Sequence, residues 1–183
     1  LNRKLFAGAD LRIDRFSGFG TQVENLGVKL APMQGGWQLD LSSALLEGRV
    51  GLPDAKGAPI DLDLARLSFP PAQPPEAGAP VPDKSDPLAT VDPRQIPPVD
   101  VRIARVMQGD ALIGAWSLKA RPTPQGVRFS ELKLDLKGLK VGGELGWEGA
   151  PGSSASWYKG RIEGKNPELL GGMTGVARFK DQP

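Results

Sequence analysis

Apolar and polar residues alternate with a period of two along most of this chain, the pattern of strands that bury one face. Ala9, Leu11 and Ile13 interleave with Asp10, Arg12 and Asp14, which predicts a first strand from Ala9 to Arg15. A second strand carries Leu26, Val28 and Leu30. The turn residues Pro32 to Gly36 lead to a third, with Trp37, Leu39 and Leu41. A fourth holds Leu46, Gly48, Val50 and Leu52, and a fifth holds Ile60, Leu62 and Leu64. Beyond Ala65-Arg66 the phase changes and continues as Leu67 and Phe69, which predicts a β-bulge.

The second half follows the same plan. Val99, Val101 and Ile103 mark one strand; Leu112, Gly114, Trp116, Leu118 and Ala120 mark the next. Val127 and Phe129 are followed, one step out of phase, by Leu132, Leu134 and Leu136, so a bulge is expected near Ser130-Glu131. Lys137-Gly138 is a tight-turn signal. Leu139, Val141, Gly143, Leu145 and Trp147 then form a strand, and Tyr158, Gly160 and Ile162 form the last. Asn166-Pro167-Glu168-Leu169-Leu170 predicts a capped helical turn, with Asn as N-cap and Pro in the first position.

The two halves are one unit written twice. At an offset of 90, seven of the 31 positions from 10 to 40 are identical, among them Asp10/Asp100, Lys29/Lys119, Pro32/Pro122 and Gly36/Gly126. After a five-residue insertion the match resumes at an offset of 95, where Leu46 to Leu52 answers Val141 to Trp147. A repeat sets the architecture before any single residue does. It divides the chain into a first five-strand unit (1–69), a crossover segment (70–98), a second five-strand unit (99–165) and a short tail (166–183). Ten of the 29 residues from Pro70 to Pro98 are proline, which favours an extended path and cannot donate to a strand ladder. Five antiparallel strands end opposite to where they began. The crossover segment is expected to bring the chain back so that the second unit starts in the same direction, passing across or along the mouth of any groove.

Composition removes most chemistry. The chain of 183 residues has no histidine and no cysteine, so the commonest general base and metal ligand, thiol nucleophiles and disulfides are all missing. Lys and Arg number 23 against 21 Asp and Glu, with the signs alternating along the strands, which does not make a nucleic-acid surface. No apolar run is long enough to span a membrane. The start at Leu1 reads as an excised or processed piece of a longer protein. Asp61 and Asp63 read as a solvated outer face rather than a cation site. Lys29 and Lys119 read as outward strand lysines rather than headgroup ligands. Gly18-Phe19-Gly20 lacks the strand-to-helix context of a phosphate loop. Ser42-Ser43 and Ser153-Ser154 have no base to activate them. No catalytic residue, metal or cofactor is expected.

The apolar faces are the main signal. Each unit presents one apolar face across five strands. Either two sheets pack face to face in a sandwich serving as an adhesion or scaffold module, or a single bent sheet lines a groove. Strand glycines such as Gly48, Gly114 and Gly143 favour sharp bending.

The segments Ala9 to Arg15, Trp37-Gln38-Leu39, Leu46 to Val50, Trp116-Ser117-Leu118, Gly126 to Phe129 and Leu139 to Leu145 together resemble the AsmA-like proteins of the Gram-negative envelope. The resemblance implies an elongated, strongly bent, all-β antiparallel sheet of two five-strand repeats. It also implies a periplasmic, non-enzymatic protein, anchored in the inner membrane by a segment outside this chain. Its groove would carry phospholipid acyl chains between the inner and outer membranes, and its partners would be those chains and neighbouring repeats of the same polypeptide. The lining expected on this basis is Leu11, Ile13, Leu26, Val28, Leu30, Trp37, Leu39, Leu41, Leu46, Val50, Leu52, Ile60, Leu62 and Leu64 from the first unit. From the second it is Val101, Ile103, Leu112, Trp116, Leu118, Val127, Phe129, Leu132, Leu134, Leu136, Leu139, Val141, Leu145, Trp147 and Ile162.

Overall fold

The computed structural model describes residues 8–18, 21–71 and 91–164. They form ten strands: β1 (Ala9–Gly18), β2 (Thr21–Met33), β3 (Gly36–Ser42), β4 (Leu46–Pro53), β5 (Ile60–Phe69), β6 (Val99–Gln108), β7 (Ala111–Thr123), β8 (Gly126–Leu136), β9 (Leu139–Glu148) and β10 (Ala155–Gly164). A short 3-10 turn at Pro93–Gln95 precedes β6. The expected helical turn after Asn166 and the crossover residues 72–90 lie outside the described residues.

All ten strands belong to one sheet, and their spatial order is their order in the chain. Every pairing is antiparallel except that of β5 with β6, which is parallel. Both five-strand runs therefore start in the same direction, the geometry for which a crossing connection was expected. Among the described residues no second sheet packs on the first, so the sandwich arrangement is not the one adopted.

Bulges bend the sheet where the phase changes indicate. On β5, Gly48 faces Leu64 and Glu47 faces Arg66, which leaves Ala65 as the extra residue. On β8, Phe129 pairs with Leu145 and Leu132 with Gly143, so Ser130 and Glu131 together oppose Glu144. Lys137 and Gly138 both have positive φ and close a two-residue hairpin between Leu136 and Leu139. The five inserted residues are taken up by this bulge and by a longer β8–β9 hairpin. The sequence left a further bulge unmarked. Ile103 pairs with Trp116 and Val106 with Gly114, so Ala104 and Arg105 share one partner position on β7.

The halves repeat the same backbone devices at the offsets read from the sequence. Gly48 and Gly143, 95 residues apart, have φ of 153° and 147°, a region nearly closed to other residues. A Cβ on either glycine would strike the neighbouring strand's backbone: Leu64 Cα for Gly48 and Gly160 Cα for Gly143. Asp54 donates its N–H to the Gly35 carbonyl and Gly149 to that of Gln125, both at 2.9 Å.

Candidate functional site

Residues paired across neighbouring strands project to the same side of a sheet, so register alone places side chains on faces. One line of partners crosses all ten strands: Leu11, Val28, Leu41, Gly48, Leu64, Ile103, Trp116, Leu134, Val141 and Ile162. It contains no polar residue. On one side of it lies a second line of Leu30, Leu39, Val50, Leu62, Val101 and Leu118, rejoined beyond the β8 bulge by Leu132. Trp37 and Leu52 pair in a third, and Ile60 reaches Phe129 and Leu145 through Val99 and Ala120. Ile13 pairs with Leu26, Leu46 with Leu67, Val127 with Trp147 and Leu136 with Leu139, all in phase with these lines.

Leu112 departs from the expected lining. A second register shift follows Val106, so that Met107 opposes Leu112 and Ile113 is the extra residue on β7. The shift turns Leu112 to the opposite side, where it is 56% exposed, and Ile113 packs into the apolar cluster instead. Val106, absent from the expected lining, has no exposed surface at all. Both follow from bulges that a reading of alternation in a single strand does not reveal.

The apolar face is concave near the middle of the sheet. Leu64, Ile103 and Val106 form a buried cluster joined by Phe69, Ile113 and Trp116. Strands two apart are about 9.6 Å from each other, yet the rings of Phe69 on β5 and Trp116 on β7 lie 6.1 Å apart by centroid. They approach each other across β6 and, with Leu46, Leu67 and Ile113, pack against the cluster that contains the fully buried Val106. Trp116 Nε1 donates to the Asp135 carbonyl at 3.2 Å, which fixes its ring.

Residues 91–98 give a second cover. The turn at Pro93–Gln95 contacts β7, β8 and β9, and Pro93 is fully buried. Val127 of β8 is 1% exposed while its neighbour Arg128, on the other face, is exposed. The turn therefore lies on the apolar side. Asp92 caps it, accepting from the Arg94 backbone N–H at 3.0 Å and from its guanidinium at 2.8 and 2.9 Å. These hydrogen bonds hold the Asp92 carboxyl at a pKa of about 2. Pro98 accepts from the Ile60 N–H at 2.9 Å and ties the segment to the start of β5.

The opposite face is charged with alternating sign. Asp10, Lys29, Asp40, Arg49, Asp63 and Arg102 are successive cross-strand partners. Such pairs each contribute a few tenths of a kcal/mol, up to about 1, and more importantly oppose a slip in register. Lys119 pairs with Glu131 at 2.6 Å and Asp61 with Arg102 at 3.6 Å, so both sit within this outer lattice. Among the described residues no group of His, Cys, Asp or Glu could hold a metal ion, and no helix is long and apolar enough to cross a membrane.

A single-layered, curled sheet with one apolar face and one charged face defines an open β-groove. The family model described as YhdP protein matches residues 3–177, and the chain belongs to that family, in line with its resemblance to AsmA-like proteins. No curated protein and no solved structure matches the chain.

Proposed function

We propose that this chain is part of a periplasmic bridge that lets phospholipid acyl chains move between the inner and outer membranes along its apolar face. The observation that carries this reading is the line of apolar partners from Leu11 to Ile162, unbroken across ten strands of a sheet with no second layer. Membership of the YhdP family supports it. Residues 1–69 and 99–165 are then two units of one groove, and segment 70–98 is the crossing between them.

The action is passive. Shielding each methylene of an acyl chain from water is worth about 0.8 kcal/mol. A sheet with alternating faces provides that shelter on one side while its charged face stays in water. Headgroups remain outside, so no residue needs to do chemistry and no cofactor is required.

Lipid mass spectrometry of the purified chain tests this reading. Phospholipid is expected to co-purify well above the level found with an unrelated β protein of similar charge. Lipid at only that background level, from cells and after incubation with vesicles, would overturn the proposal.

A further inference from the structure

The apolar face is not equally available along its width, and the difference falls where the two five-strand runs join. On one flank, Leu64, Ile103 and Val106 are buried, with the Phe69 and Trp116 rings packed against them together with Leu46, Leu67 and Ile113. On the other flank, Ala120 and Val127 are buried, with Pro93 packed over β7, β8 and β9. Between the flanks runs the line Leu62, Val101 and Leu118, whose members are only half-buried, with the half-buried Ile60 and Val99 beside it on β5 and β6. A side chain with no exposed surface cannot touch a further molecule.

We infer that Phe69 and Trp116 on one side and the Pro93 turn on the other confine an acyl chain at the β5–β7 junction to a strip of Leu62, Val101 and Leu118, widened only on β5 and β6 by Ile60 and Val99. The inference rests on the proposed function and adds to it the residues that fix the path. The ring pair and the turn are held independently of any lipid. Trp116 is anchored by its hydrogen bond to Asp135, and the turn by Asp92, Arg94 and the Ile60–Pro98 link. They are positioning groups built into the fold, and the groove is narrower here than the sheet that forms it. Lipid tails would cross β7 over Leu118 in file rather than side by side.

The chain has no cysteine, so single thiols report single positions. Val101→Cys, Leu118→Cys, Val106→Cys and Val127→Cys would each be exposed to vesicles containing a phosphatidylethanolamine with a maleimide at the end of one acyl chain. Labelling would be read by intact-protein mass. Val101→Cys and Leu118→Cys are expected to label at least tenfold faster than the other two. Adding Phe69→Ala to Val106→Cys is expected to bring its rate to within about threefold of Val101→Cys. Should Phe69→Ala lose strand content, Phe69→Leu with a smaller gain in rate serves instead.

Equal labelling at all four positions would overturn the confinement while leaving lipid binding intact. So would a Val106→Cys rate that neither ring substitution raises. Labelling at none of the four would overturn both this inference and the lipid-carrying function on which it rests.

Discussion

A carboxylate placed on the apolar face should unfold the protein at one position and leave it folded at another a short distance away. The pair is Val106→Asp and Leu118→Asp. Val106 has no exposed surface, so an aspartate there cannot reach water and must hold its proton. Keeping a carboxyl of ordinary pKa about 3.9 neutral at pH 7 costs about 4 kcal/mol. Losing the valine's burial adds about 2 kcal/mol. The sum of about 6 kcal/mol is comparable to the whole stability of many domains, about 5–15 kcal/mol. Leu118 is half-buried on the central line, and an aspartate there can turn its charge to solvent. Only part of the leucine's burial is lost, about 1–1.5 kcal/mol.

The assay is urea unfolding followed by circular dichroism in the strand region, with lipid transfer measured in parallel. Val106→Asp is expected to be unfolded or nearly so at pH 7. Its deficit should shrink by about 1.4 kcal/mol per pH unit towards pH 4, because the raised native pKa favours the folded state as protons become available. Leu118→Asp is expected to stay folded and, on the proposed function, to lose lipid transfer. Equal loss of stability in the two variants would refute the reasoning, since the central line would then be a packed core and not an accessible surface.

Three further outcomes are expected. Gly48→Ala and Gly143→Ala should each cost at least about 1–3 kcal/mol by urea unfolding, as both glycines hold φ near 150° with backbone in the path of a Cβ; a neutral effect at either site would contradict the backbone repeat. Asp92 has a lowered pKa, so its hold on the turn should be complete above about pH 4 and be lost only as the pH falls towards about 2; thiol accessibility of Val127→Cys that rises between pH 8 and pH 5 would argue against that cap. Ten strands at about 4.8 Å spacing and about 3.3 Å rise per residue give a sheet about 43 by 33 Å, so small-angle scattering should give a maximum dimension clearly above the roughly 40 Å of a compact sphere of this chain length, and a value at about 40 Å would mean that the sheet closes into a globule.

Much of this architecture was legible in the sequence because it depends on local rules. Alternation placed all ten strands, and only their ends ran further than expected; β1, for example, continues to Gly18. The phase changes at Ala65-Arg66 and Ser130-Glu131 marked two bulges, since each leaves apolar residues on both sides of a break in period. The repeat offset makes Gly48 and Gly143 equivalent, and their φ values match. The odd number of strands per unit required a return of direction, and the parallel pairing of β5 with β6 supplies it.

What the tertiary structure alone decided is the set of relations between strands that are not neighbours in sequence. The bulge at Ala104-Arg105 and the shift at Ile113 arise from pairing of β6 with β7, and they move Val106 and Ile113 into the cluster and Leu112 out of it. The ring contact across β6 joins side chains from two strands that are not neighbours in the sheet. The crossover was readable as proline-rich, but the seating of the Pro93–Gln95 turn against β7, β8 and β9 was not, because those strands come later in the chain and meet the turn only in the folded sheet. Period-two alternation determines which side of a strand a residue occupies; curvature and register determine which parts of that side remain open.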